Sequence, residues 1–245
     1  MINNNALYDL LPSLNNVFLK NSREAIWQIQ PADIDFNTRE GQTLVIPPTG
    51  PSIVGTDNPV YLSDHLLNSF EANDQRAVYG NWLDTTIYPI TTTPLVLDTV
   101  IYPYKYKINA SPGVNTIDGL QEYFMVLRLA ELYLIRAEAR ALQNKIVEAQ
   151  SDLNAIRTRA GLATTTANDQ ASLLTAILHE RQVELFSEWG HRWFDLKRTG
   201  KIDAVMSVVT PQKANGAPWQ SYQQWFPLPV TDLLISPNMT QNAGY

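Results

Sequence analysis

Proline limits how this chain can fold, because it lacks the N–H that a helix interior needs and its ring collides with the preceding turn. Ten of the fifteen prolines lie at or before Pro112 and five at or after Pro211, so the 98 residues between them contain none. That window also holds the long stretches of helical periodicity. The sequence therefore divides into a loop-rich first part (1–112), a helical block (113–210) and a tail (211–245). A length of 245 residues is ample for one core, and the expectation is a single mainly α domain with long irregular loops and a few short strands.

Within the block, Leu127, Ala130, Leu134, Ala137 and Ala141 lie on one stripe and predict a helix over 123–143. Ala149, Leu153 and Ile156 repeat the pattern over 146–160, where Gly161 is a natural stop. The connector Asn144-Lys145 is so short that the two helices must form an antiparallel hairpin. Ala137 and Ala149 stand at the separation of the two small residues of a tetratricopeptide repeat, although Arg136 and Arg140 occupy positions where that repeat is apolar. Further helices are expected over about 170–188 and 191–198.

The first part is less regular. Leu7, Leu10, Leu11, Leu14, Val17 and Phe18 have helical spacing, and Ala25 to Gln30 reads as a short strand stopped by Pro31. Residues 36–60 read as a long ordered loop, a kind of segment that commonly carries function. Ser63 is placed to cap a helix over 64–70. From Tyr79 to Tyr106 the mixture of Tyr, Trp, Thr and Pro predicts extended chain and turns.

A formal charge of −6 and a pI near 5.0 remove the basic footprint that nucleic acid or an anionic membrane would require. The absence of cysteine excludes disulfides, thiolate metal sites and a cysteine nucleophile. No run is long and apolar enough for a spanning helix, residues 1–10 lack signal-peptide character, and the chain alone is expected to be soluble. Asn, Gln and Thr together number 53 against 42 charged residues. Beside 24 aromatics, such groups suit neutral polar ligands with flat apolar faces, which is a description of sugars. An equally direct reading is a neutral surface with no ligand implied.

The densest charged cluster runs from His179 to Arg198. His179-Glu180 begins like a zinc-protease helix, but Val183 stands where the second ligand would have to be. The spacing instead predicts an ion-pair network of Glu180, Arg181, Glu184, Arg192, Asp195 and Arg198 covered by Trp193, with Arg181, Arg192 and Arg198 as partners of the acids. No nucleophile elbow, phosphate loop or metal motif is present, so no catalytic residue, metal or cofactor is expected, and calcium has no supporting motif. The candidate ligand residues are aromatic and polar groups in irregular chain: Phe36, Asn37, Arg39, Tyr61, Tyr79, Asn81 and Trp82.

Glu180-Arg181-Gln182-Val183-Glu184-Leu185 leading to Gly190-His191-Arg192-Trp193-Phe194-Asp195-Leu196-Lys197-Arg198 resembles the hallmark segment of the SusD/RagB family. Three other segments agree in order: Ser69 to Arg76, Leu127 to Ala139, and Phe226-Pro227-Leu228-Pro229 through Asn238 to Tyr245. The resemblance covers about residues 20–245 and is to the C-terminal part of such proteins. It implies a SusD-like fold with a tetratricopeptide-like hairpin core and a truncated or shortened chain without the family's N-terminal half. In the intact lipoprotein it implies a place at the outer-membrane surface of Bacteroidetes. There it would capture oligosaccharide, starch-like or other, for a TonB-dependent SusC-like transporter. Peptide or other nutrient capture, and a docking scaffold with no ligand site, remain alternatives. The matching motifs are scaffold, so the resemblance assigns no ligand residue.

Overall fold

The computed structural model describes residues 2, 6–32, 37–51, 60–108, 119–213 and 216–245. They fall into two units, Met1–Trp189 and Gly190–Tyr245, each taken by itself below.

In the first unit the chain runs through β1 (Ala25–Ile29), α1 (Arg39–Leu44), α2 (Asp64–Leu67), β2 (Leu83–Thr92), β3 (Leu95–Pro103), β4 (Phe124–Arg128), α3 (Leu129–Leu142), α4 (Ile146–Arg159) and α5 (Gln170–Glu184). Its strands make two antiparallel pairs, β1 with β4 and β2 with β3. The α3–α4 hairpin forms as its spacing predicts, and Asn144 takes the left-handed conformation (φ 59°) that so short a connector needs. Ala130, Leu134, Ala137 and Ala141 of α3 bury against Ala149, Leu153 and Ile156 of α4. Leu173 and Ile177 of α5 close that core, and α5 starts at a capping box in which Asp169 and Ser172 satisfy each other's N–H groups.

A second core gathers Leu14, Val17, Phe18, Trp82, Leu83, Tyr106, Met125 and Phe186. A third, of Val45, Ile46, Val100 and Tyr102, lies against the β2–β3 ribbon.

Three local expectations change. The helix predicted from Tyr123 begins at Leu129, because Phe124–Arg128 pairs with β1 and spends its backbone hydrogen bonds there; Leu127, counted on the helical stripe, is an exposed strand residue. The helical spacing of Leu7 to Phe18 yields only a 3-10 turn at Leu14–Asn16, with Pro12 interrupting the run. The loop expected over 36–60 contains α1, whose first turn is capped when the Thr38 hydroxyl accepts the Gly41 N–H at 3.0 Å.

In the second unit, α6 (His191–Arg198) and α7 (Ile202–Val209) precede a tail that ends in α8 (Val230–Ile235) and an irregular run. Trp193 packs edge-on to Trp219 and tilted against Phe226, with ring centroids 6.1 and 5.6 Å away. Trp219 and Ser221 both donate to the carboxylate of Asp203, at 2.7 and 2.8 Å. The two recognisable tail segments clasp each other. Gln241 accepts the Leu228 N–H at 2.7 Å and donates to the Leu228 carbonyl at 3.1 Å, while Asn242 donates to the Phe226 carbonyl at 2.7 Å.

Candidate functional site

The acidic stripe of α5 is buried and saturated with cations. Glu180 receives Arg76 at 2.6 Å and Arg157 at 3.3 Å. Glu184 receives Arg76 at 2.9 Å, Arg128 at 2.6 Å and Arg159. Glu188, one turn of chain beyond, takes Arg128 at 2.8 Å and Lys105 at 2.5 Å. Glu24, arriving from just before β1, binds Arg128 at 3.0 Å and Arg159 at 2.7 Å. Arg76 is itself held in a two-pronged grip by Asp74, at 2.9 and 2.8 Å. Arg128 also donates to the Glu184 carbonyl at 2.8 Å, so its planar fork is used in every direction.

The acids were expected to find Arg181 and Arg192. Instead Glu180 and Glu184 use Arg76, Arg128, Arg157 and Arg159, because the helix carrying them faces the chain between Glu24 and Arg159. Arg181 approaches Glu131 at 3.9 Å. In the second unit Arg198 pairs with Asp195 of its own helix at 2.8 Å, and Arg192 is drawn down by burial, with Asp195 opposing. Among the described residues no group of three His, Cys, Asp or Glu is arranged to hold a metal.

Lys105 is the odd member of this cluster. Its ammonium donates to the carbonyls of Glu184 and Phe186 at 2.7 and 2.8 Å. It also stands 4.1 Å from the Phe186 ring centre and 4.6 Å from that of Trp82. Burial pulls it down to about 8, with Glu188 resisting.

The predicted ligand residues separate into two groups. Phe36 lies outside the described residues. Trp82 is 0% exposed and donates its indole N–H to the Leu14 carbonyl at 3.0 Å, so neither face of its ring is open to a sugar. Asn37 is also buried, and its side-chain oxygen accepts the N–H groups of Gln121 and Glu122 at 2.6 and 3.0 Å. Both are corrections: these two side chains are committed to the fold.

Tyr61 and Tyr79, by contrast, are 59% and 54% exposed. Arg39 is exposed and reaches Gln42 of its own helix at 2.8 Å. Asn81 is half-buried, donating to the Gln75 carbonyl at 2.7 Å and accepting from Asn15 at 3.3 Å.

Tyr88, which sequence reasoning did not single out, donates its hydroxyl to Asp98 at 3.2 Å. Alternation along β2 is the signal that could have placed it. A β-carbon at Gly50 would sit 2.3 Å from the Tyr88 ring, so glycine there lets the loop lie flat on it. Separately, a cleft of about 720 Å³ opens between Leu10, Pro12 and one face of α4 made of Ser151, Asn154, Ala155, Thr158 and Arg159.

Comparison with known proteins adds the following. The sequence profile of the SusD family matches residues 72–245. The SusD-like protein P38 of Formosa agariphila is 29% identical over 190 residues, covering 72% of this chain and 35% of that protein. The starch-binding protein SusD of Bacteroides thetaiotaomicron is 34% identical over 122 residues, covering 49% of this chain and 21% of that protein. The chain thus spans about a third or less of the length of these curated relatives.

Among solved structures, a SusD superfamily protein from Parabacteroides distasonis superposes with a TM-score of 0.73 at 22% identity, over 98% of this chain and 54% of that one. The surface glycan-binding protein A of Bacteroides thetaiotaomicron does so with a TM-score of 0.68 at 22% identity, over 99% and 57%. At this level of identity the likeness speaks to the fold.

Proposed function

Because the chain belongs to the SusD family and has that family's mainly helical fold, we propose that it binds oligosaccharide at the cell surface without altering it and presents it to a TonB-dependent SusC-like transporter. The observation that carries this reading is the exposure of two tyrosines in irregular chain, Tyr61 and Tyr79, the second of them two residues before Asn81. Solvent-facing aromatic rings offer flat apolar faces to the C–H faces of a sugar, and Asn81 and Arg39 supply partners for its hydroxyls. The names of a starch-binding relative and of glycan-binding structural neighbours support the same ligand class.

A binding role rather than hydrolysis is supported by the use of the densest carboxylates. Glu180, Glu184 and Glu188 are closed off by arginines and lysine, whereas a glycosidase needs two carboxyl groups facing each other across a cleft. Among the described residues no helix is long and apolar enough to cross a membrane. In this reading attachment to the outer membrane is through a lipid anchor.

Calorimetric titration with a panel of soluble glycans tests the proposal. At least one class is expected to bind saturably, and Tyr79→Ala or Tyr61→Ala to weaken that binding about tenfold, the loss of ~1.4 kcal/mol of ring contact. Saturable binding of peptides with none of sugars would replace the glycan by a peptide ligand, and released reducing sugar would replace binding by hydrolysis.

A further inference from the structure

The turn that carries Tyr79 and Asn81 is short and sharply bent. Gly80 sits at φ 88°. The Asn81 N–H returns to the Val78 carbonyl at 3.0 Å, and the Gly80 N–H reaches forward to the Leu83 carbonyl at 2.9 Å. This leaves the carbonyls of Gly80 and Asn81 to be satisfied from outside the turn. Lys107 does so: its ammonium donates to Gly80 at 3.1 Å, to Asn81 at 2.6 Å and to the Tyr104 carbonyl at 3.0 Å. It also lies 4.1 Å from the centre of the Tyr104 ring. All three ammonium protons are thereby used.

The backbone of Lys107 is fixed in turn. Its N–H donates to the Glu122 carboxylate at 2.7 Å, and the Glu122 N–H donates to buried Asn37 at 3.0 Å. A chain of bonds thus runs from the core to the exposed turn.

We propose that Lys107 is a positioning residue of the ligand site: its side chain clamps the turn between Tyr79 and Trp82 and sets where the Tyr79 ring stands. The inference rests on the reading above, in which Tyr79 and Asn81 meet the sugar. It adds a pH dependence that the reading alone does not contain. Burial pulls Lys107 down to about 8, with Glu122 from the segment before β4 and Asp84 from β2 opposing. Burial pushes Glu122 up to about 7, with the N–H groups of Lys107 and Ile108 opposing. Above pH 8 the ammonium becomes an amine with two protons for three carbonyls, so the clamp slackens and affinity falls as pH rises.

The test follows maltoheptaose binding by calorimetry between about pH 6.5 and 9.5. Hydrogen exchange at the Gly80 and Asn81 amides is followed in parallel for the wild type, K107M and K107R. K107M is expected to bind about tenfold more weakly and to exchange both amides faster while its melting temperature stays near that of the wild type. K107R, charged throughout, is expected to recover most of the affinity and to lose the step near pH 8. Wild-type binding and exchange in K107M would overturn the proposal. So would a pH step that persists in K107R, which would belong to Lys105 in the core. A wild type that ignores maltoheptaose and every other glycan of the panel, while K107M still loses amide protection, would sink the glycan reading and leave the clamp standing.

Discussion

Replacing Arg128 with methionine is expected to cost about 3–5 kcal/mol of stability, measured as a fall in the urea midpoint with little change in slope. Domains of ordinary stability hold only about 5–15 kcal/mol, so R128M comes close to unfolding the chain. The size follows from what the guanidinium leaves behind. Glu24, Glu184 and Glu188 all lose a partner at 3.0 Å or less, and all three are buried. Each keeps another cation, Glu24 Arg159, Glu184 Arg76 and Arg159, and Glu188 Lys105, but the buried cluster is left one positive charge short with acceptors unfilled, which costs more than removing a pair whole.

The same cluster sets the acid limit. Burial works to raise Glu184, but Arg159, Arg128, Arg76 and Lys105 together outweigh it and hold the group well below its ordinary value of 4.5. A carboxylate depressed in the folded state contributes its stability above the unfolded value and loses it as pH falls through the folded one. Stability is therefore expected to decline from about pH 4.5 downward, and more shallowly in R128M, where one of the depressing charges is gone. A midpoint in R128M within about 1 kcal/mol of the wild type would mean that the cluster is not the brace described here.

Trp82→Ala is expected to lose about 3–5 kcal/mol by opening a cavity beside Phe18, Phe186 and Lys105. Trp82→Phe keeps a ring in place and removes only the hydrogen bond to Leu14, so it is expected to cost about 1–2 kcal/mol. The pair also decides whether Trp82 touches ligand. Its ring meets Phe18 in a T-shaped contact at 5.9 Å between ring centres, and Phe186 in a tilted one at 6.5 Å. Folded W82F is therefore expected to bind glycan as the wild type does. A large loss of affinity in W82F without a loss of stability would return Trp82 to the ligand surface.

The helical part of the fold is legible because its signals are local. The stripe of α4, the short connector at Asn144 and the stop at Gly161 (φ 77°) all lie within a few residues of what they determine. The start of α3 is not legible, since Phe124–Arg128 is made a strand by β1, about a hundred residues earlier in the chain. The acids of the charged cluster stand out through their four-residue spacing, but their cations do not. Glu180 and Arg76 are 104 positions apart and Glu184 and Arg76 are 108 apart, distances over which periodicity carries no information. Sequence reasoning misplaces Trp82 and Asn37 among the ligand residues for another reason. An aromatic or amide side chain is suited equally to a core and to a sugar face, and only burial separates Trp82 and Asn37 from Tyr61 and Tyr79.

The long reach of the charged cluster also bears on how the first unit comes together. Its arginines and acids lie on Glu24, Asp74-Arg76, Arg128, Arg157-Arg159 and Glu180–Glu188, so no short stretch of nascent chain can assemble it. Each member held in a half-built interior would be a charge without water or partner, which makes partially folded forms unfavourable. The cluster is thus expected to close late and all at once. The loop at Asp74-Arg76 and the end of α5 should open and close together, as one cooperative unit, in spite of the hundred residues between them.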